Sequence, residues 1–402
     1  MVNTPNANRL HIGIFGRTNS GKSTFLNLLT NQEVSIVSNV AGTTTDPVYK
    51  QMEILPLGAC TLIDTAGFDD VTQLGEKRLE KTKLAAEKTD IAVVVISAEE
   101  ENTESEEKWI KYFKEKGTPV LVVISKIDLN RNQAEKISQD INSKTKEECI
   151  LISSMNHSNK SDTVALIKEA LARRIPENFG ERLITGELVT EDDVVLLVMP
   201  QDIQAPKGRL ILPQVQTLRE LLDKKCIVLS TTTDKMLNAL SKMKEPPKLI
   251  ITDSQVFKYV YENKPKESML TSFSVLFAAY KGDLPYYIEG AKKIDSLNDD
   301  SKVLIAECCT HAPLAEDIGR EKIPRMLRNR YGQNMKIDIV SGTDFPEKLD
   351  DYDLIIQCGA CMFNRTYVMS RIERAKRQNV CMTNYGVTIA HLTGILEKIA
   401  QT

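Results

Sequence analysis

The chain has 402 residues, enough for two or three domains of roughly 150 residues that each bury a core of their own. With 42% hydrophobic and 27% charged residues it sits in the ordinary globular range, and a formal net charge of -3 gives no global basic field, which argues against nucleic acid as a partner. No run approaches the roughly 20 apolar residues of a membrane span, and the polar start Met1-Val-Asn-Thr-Pro-Asn6 lacks a signal-peptide pattern, so no membrane partner and a cytoplasmic location are expected.

From about residue 9 to 172, apolar runs alternate with helical patterns. The runs are His11 to Phe15, Cys60 to Asp64, Ile91 to Ile96, Val120 to Ile124 and Cys149 to Ile152, and the helical stretches are Lys22 to Leu29, Glu76 to Lys88, a segment around Ser105 to Trp109, and Val164 to Arg173. Buried, nearly unalternating strands separated by helices predict a mostly parallel α/β sheet. Arg173 to Asn178, with its proline, reads as a linker. The next segment holds Asp193 to Met199, a Pro/Gly turn region from Pro200 to Pro213, a helix over Val215 to Leu222 and the run Cys226 to Leu229; it is short on core and suits self-assembly. A third segment alternates again: Lys302 to Ala306, a helix around Ile323 to Arg330, Ile337 to Val340, Asp353 to Ile356, a helix over Tyr367 to Gln378, Val380 to Met382, and a last helix near Ile389 to Ala400. No internal repeat is evident. The expected division is 1–173, 180–265 and 270–402.

Gly16-Arg-Thr-Asn-Ser-Gly-Lys-Ser23 follows a predicted strand and opens a predicted helix, the context that makes a phosphate-binding loop credible. Gly16 and Gly21 let the backbone curl so that the amides around Asn19, Ser20 and Thr24 face phosphate; Lys22 reaches the outer phosphates and Ser23 can ligate Mg²⁺. Asp64-Thr-Ala-Gly67 begins at a strand end, where Asp64 can hold Mg²⁺ and the Gly67 amide can meet a γ-phosphate. Ser125-Lys126-Ile-Asp128 closes another strand, and the two oxygens of Asp128 match the N1–H and N2–H donors of guanine. Ser153 and Ser154, after the next strand, suit the loop that supports the base. GTP or GDP is the expected nucleotide.

These motifs, in this order, resemble the translation-factor-related GTPases of the Era/TrmE-like branch. The resemblance implies that Gly42 to Asp46 is switch I, that Thr44 meets Mg²⁺ in the triphosphate state, and that Asn19 helps to hold K⁺ beside the phosphates. Two departures stand out. Ser125 replaces the usual asparagine, removing an amide that ties the phosphate loop to the base loop. Phe68 stands where many GTPases have a water-orienting glutamine, so hydrolysis is expected to be slow.

Eight cysteines are too sparse for a disulfide framework, and five of them lie in the last quarter: Cys308, Cys309, Cys358, Cys361 and Cys381. Cys309-Thr-His311 and Cys358-Gly-Ala-Cys361 follow two predicted strands, and ligands gather outside the carboxyl ends of strands in open α/β sheets. Three thiols and an imidazole suit zinc or an iron–sulfur cluster, and a metal-free redox pair is the remaining reading. His311 ranks below the cysteines as a ligand, Cys308 would point elsewhere, and Cys381 reads as core.

The whole chain resembles the maturation GTPases of [FeFe]-hydrogenase, through the GTPase motifs, Ala205 to Gln216, Thr271 to Leu284, and the terminal CxH and CxxC. That resemblance implies three α/β parts: a P-loop GTPase domain, a small dimerisation domain, and a cluster-binding domain with a parallel sheet in which Cys309, Cys358 and Cys361 hold a [4Fe–4S] cluster. It further implies a homodimer or higher homo-oligomer that carries a transient two-iron precursor, working with the radical-SAM maturases HydE and HydG and delivering to apo-[FeFe]-hydrogenase. Many relatives have a histidine before the CxxC, where this chain has Gln357, so the fourth iron ligand is His311 or another group. A ribosome- or tRNA-associated GTPase with structural zinc is the competing expectation.

Overall fold

The computed structural model describes residues 4–30, 47–68, 73–153, 160–177, 179–180, 182–200, 210–308 and 317–400. Two compact units, 1–180 and 181–402, divide the chain. The first runs β1 (Leu10–Phe15), α1 (Lys22–Thr30), β2 (Val48–Ile54), β3 (Gly58–Asp64), α2 (Gln73–Glu87), β4 (Ile91–Ser97), α3 (Glu104–Glu115), β5 (Val120–Ser125), α4 (Arg131–Thr145), β6 (Cys149–Leu151) and α5 (Lys160–Ala172). Its six strands lie in the order β2-β3-β1-β4-β5-β6, and only β2 runs antiparallel to its neighbour. Every residue of β1, β4 and β5 is buried, because helices cover both faces. Phe25 and Leu29 of α1 and Ile167 and Leu171 of α5 fill one face; Ile110 and Phe113 of α3 and Ala134, Ile137 and Ile141 of α4 fill the other. The edge strand β2 and the helix α4 escaped the sequence analysis. β2 is largely exposed, so no apolar run marks it, and α4 is mostly polar with a thin apolar stripe.

The second unit holds two four-stranded sheets. One is built from β7 (Val194–Val198), α6 (Leu212–Asp223), β8 (Ile227–Thr231), α7 (Met236–Ser241), β9 (Leu249–Thr252), α8 (Phe257–Asn263), β10 (Met269–Ser272) and α9 (Phe273–Lys281). After α10 (Leu284–Lys292) comes the other: β11 (Lys302–Ala306), α11 (Ile323–Tyr331), β12 (Lys336–Val340), β13 (Leu354–Gln357), α12 (Arg365–Arg377), β14 (Cys381–Asn384) and α13 (Tyr385–Leu392). The strand orders are β10-β9-β7-β8 and β12-β11-β13-β14, with every pair parallel. Read in chain order the two are the same: a first inner strand, an edge strand beside it, then two strands added on its other side. The turns into α9 and α13 agree as well, Leu270-Thr-Ser-Phe-Ser-Val275 against Met382-Thr-Asn-Tyr-Gly-Val387, with the Ser272 and Asn384 side chains capping the helices by accepting from the Val275 and Val387 amides. This is an internal repeat that the sequence analysis missed.

The last helix begins at Tyr385, earlier than expected, and gives way at Gly394, whose φ of +71° suits glycine. Among the described residues no helix is long and apolar enough to cross a membrane.

Candidate functional site

In the first unit the phosphate loop joins β1 to α1. Gly16 and Gly21 have φ of +155° and +93°, and a Cβ on either would collide, at Gly16 with the Val95 carbonyl at 2.4 Å and at Gly21 with the Ser125 hydroxyl at 2.8 Å. Asn19 also takes a left-handed φ of +61°, a conformation asparagine tolerates. Lys22 is buried and folds its ammonium onto the Gly16 and Arg17 carbonyls at 3.0 and 2.6 Å, against the loop it would serve. Arg17 points away, paired with Glu100 at 3.1 Å and with Glu106 of α3, which is wholly buried, at 2.9 Å.

Asp64 ends β3 beside this loop. Burial lifts its carboxyl to about 6, opposed by the nearby Lys22 charge, and its buried Oδ1 has no hydrogen-bond partner among the described residues. A buried carboxylate oxygen without a donor fits a cation site, since hard cations are held by such oxygens. Thr65, next in the chain, donates its hydroxyl to the Ile14 carbonyl at 2.7 Å and pins the start of the following segment to β1. Phe68 leans on Trp109 of α3, with ring centroids 5.8 Å apart.

At the base end, Ser153 donates its hydroxyl to Asp128 Oδ1 at 2.5 Å, orienting an exposed carboxylate. Ser125 corrects an expectation. Its hydroxyl donates to the Ser20 carbonyl at 2.6 Å, so the link from base loop to phosphate loop is kept by a shorter side chain that fits because Gly21 lies against it. Lys126 donates to Glu99 at 2.6 Å. Thr44 and Ser154 lie outside the described residues, as do Cys309 and His311 of the thiol site.

In the second unit β11 and β13 are adjacent, while the chain leaves β11 for the edge strand β12 and returns on the other side at β13. This is a topological switch point, where the loops diverge and open a crevice at the carboxyl ends of the strands. Register pairs Ala306 with Gln357, so Cys308 and Cys358 emerge side by side. The Cys308 amide donates to Cys358 Sγ at 3.1 Å. Hydrogen bonding from the Cys308 thiol and from backbone amides holds the Cys358 thiol below its ordinary value despite burial, whereas burial pushes Cys308 well up. Cys308 was expected to point elsewhere; the structure makes it the partner of Cys358. Among the described residues no group of three or more His, Cys, Asp or Glu is placed to hold one metal ion. The donors that are described, thiols at a strand-end crevice of which Cys358 accepts from backbone amides, have the chemistry for a soft metal or an iron–sulfur cluster.

Buried polar groups surround these thiols. Gln357 is 1% exposed and donates to the Tyr287 hydroxyl at 3.4 Å, while its Oε1 has no partner among the described residues. Arg371, also 1% exposed, is caged by the rings of Phe345, Phe363 and Tyr367 at 4.8 to 4.9 Å. Lys281, 2% exposed, donates to the carbonyls of Ala360, Cys361 and Phe363 at 3.1, 3.1 and 2.9 Å. Of the three, only Gln357 was singled out from the sequence, as the residue in the place of a histidine; Arg371 and Lys281 were not. For Lys281 a signal existed: it carries the only charge in the otherwise apolar α9.

The model of the hydrogen maturase F dimerization domain matches residues 184–282, and that of the hydrogen maturase F tetramerization domain matches 285–402, together over half of the chain. The chain belongs to the hydrogen maturase F family. A third family model, described as 50S ribosome-binding GTPase, matches residues 11–126. Among curated relatives, GTPase Der of Sulfurimonas denitrificans is 32% identical over 45% of this chain and 37% of its own length, and GTPase Der of Clostridium perfringens is 32% identical over 44% and 42%. The chain thus spans about two fifths of the length of these relatives. A solved structure of Era with MgGDPNP and a 16S ribosomal RNA fragment is 22% identical, covers 56% of this chain and 93% of that one, and has a TM-score of 0.36. In the terms of hydrogen maturase F, Lys281 falls in the dimerization segment, and Cys358 and Cys361 fall in a segment named for tetramerization rather than for a cluster.

Proposed function

We propose that the chain is a GTP-hydrolysing, homo-oligomeric maturation factor for [FeFe]-hydrogenase that holds an iron–sulfur cluster and assembles or delivers the two-iron precursor. The observation that carries this reading is one chain in which a phosphate loop is followed by both hydrogen maturase F segments, with paired thiols at the strand-end crevice of the second. Lys22 and the amides around Ser20, Gly21 and Thr24 would cradle the phosphates, Asp128 would take guanine with Ser153 and Ser154 behind it, and Ser23, Thr44 and Asp64 would hold Mg²⁺, with Asn19 beside K⁺. Mg²⁺ there neutralises charge on the phosphate oxygens. Phe68 cannot orient water, which supports slow turnover. Cys309, Cys358 and Cys361 would grip a [4Fe–4S] cluster, with His311 the first choice for its fourth position; a cluster held by three thiolates supplies an iron with an exchangeable site for the precursor. HydE, HydG and apo-hydrogenase are the partners this reading entails.

The competing reading, a ribosome-associated GTPase, is favoured by the description of the model that matches residues 11–126, but it leaves the remainder of the chain without a role. Anaerobic reconstitution with iron and sulfide, metal analysis, EPR after reduction, and GTP hydrolysis in KCl and in NaCl test both. A reducible cluster and faster hydrolysis in KCl are expected. Zinc without a cluster removes the carrier role, and equal rates in the two salts remove K⁺.

A further inference from the structure

The repeat in the second unit supplies an internal comparison. Register places Leu249 opposite Val195 in one half and Leu354 opposite Val303 in the other, so Asp253 and Val256 occupy the positions of Cys358 and Cys361. The halves meet through α9 and α13, where a Cβ on Gly386 would strike Ser274 at 2.4 Å. The exchange is reciprocal: α13 lies against the Ser254–Val256 turn, and α9 ends against the cysteine turn. Nine residues beyond the helix caps stand Lys281 in the first half and Thr393 in the second. Thr393 returns its hydroxyl to the Ile389 carbonyl of its own helix at 2.7 Å, whereas Lys281 crosses to the cysteine turn with all three N–H groups. The interface therefore does not need a lysine; only the half that receives the cysteines has one.

What the lysine grips is a strained turn. Ala360, between the two cysteines, has φ of +51°, a left-handed conformation that non-glycine residues rarely adopt. Lys281 donates to the carbonyls of Ala360 and Cys361 and, beyond them, Phe363. Arg365 bonds the Gly282 carbonyl at 2.8 Å, so the segments are joined on both sides. Lys281 has no carboxylate partner among the described residues. A buried ammonium without one is costly unless its hydrogen bonds are filled, and here backbone carbonyls fill them.

We propose that Lys281 is a positioning residue for the metal site: by binding three carbonyls of the cysteine turn it holds Ala360 left-handed and presents the Cys358 and Cys361 thiols preformed to one ligand, with a buried positive charge that favours their thiolate-bound state. The idea rests on the metal-binding reading above.

The test uses the full chain with Lys281→Met, Lys281→Gln, and the double change Lys281→Met with Ala360→Gly, each reconstituted anaerobically with ferrous iron and sulfide. The readouts are far-UV circular dichroism, iron retained against a chelator, and the EPR signal and midpoint potential of the reduced cluster. Lys281→Met is expected to keep its dichroism but to retain several-fold less iron and to shift the potential downward. Ala360→Gly should restore part of the retention, because glycine adopts the turn without the clamp. Lys281→Gln, which keeps two donors, should fall between and decides the matter if the methionine variant does not fold. Retention and EPR equal to the parent, or a loss that Ala360→Gly leaves untouched, would overturn the proposal. If the parent itself takes up zinc and no cluster, the carrier reading fails, and zinc retention by the same variants still decides the role of Lys281.

Discussion

At residue scale the most consequential group is Asp64. Burial lifts its carboxyl from the ordinary 3.8 to about 6, so the folded chain binds a proton there more tightly than the unfolded chain does. The stability this contributes is complete below about pH 3.8 and is lost as pH rises through about 6. Ionised Asp64 therefore costs the ligand-free protein about 1 to 3 kcal/mol at neutral pH. A bound divalent cation would offset it. Thermal unfolding against pH should show the ligand-free parent losing stability between about pH 4 and 6 relative to Asp64→Asn, and Mg²⁺ with GDP should narrow that gap at pH 8. Parallel curves for the two proteins would mean that Asp64 is better solvated than its surroundings indicate. Ser125 teaches the complementary lesson. Its replacement of asparagine reads in the sequence as a lost tie, yet the hydroxyl reaches Ser20 because Gly21 has no side chain.

At the scale of elements, α3 touches two nucleotide-facing segments at once. Its buried Glu106 holds Arg17 of the phosphate loop, and its Trp109 stacks on Phe15 at 5.6 Å and meets Phe68 at 5.8 Å. Phe68 directly follows Asp64-Thr-Ala-Gly67, so a rearrangement there on γ-phosphate binding alters the surroundings of an indole. Trp109 is the only tryptophan in the chain. Its emission should differ between the GDP form and the form with a non-hydrolysable GTP analogue, and Phe68→Ala should flatten the difference. Identical spectra in both nucleotide states would show that α3 does not feel the switch.

At the scale of the whole molecule, the groups proposed to bind nucleotide lie in the unit 1–180 and the Cys308, Cys358 and Cys361 thiols in 181–402, each with its own core. Separate cores predict separable losses. Lys22→Ala should reduce GTP hydrolysis by at least ten-fold and leave iron content unchanged, while Cys358→Ser should lower iron content by more than half and leave GTP hydrolysis within about two-fold, measured on the same preparations. Loss of both properties from either substitution would make the two sites one cooperative system.

The glycine-rich turn between β1 and α1, the strand ends that carry Asp64 and Ser125, and the alternation of buried strands with helices were legible in the sequence, because each is local: a glycine spacing fixes a turn, and an apolar run marks a strand covered on both faces. The repeat in the second unit was not, since fold topology survives when only a short turn such as Thr271-Ser-Phe and Thr383-Asn-Tyr still agrees. Nor was the pairing of Cys308 with Cys358, which depends on β11 and β13 being neighbours although β12 lies between them in the chain. Lys281 shows the limit most clearly. Its type and apolar helix are written in the sequence, but its three carbonyl partners are set by how one half of a repeated fold packs on the other, and only the tertiary structure fixes where a side chain ends.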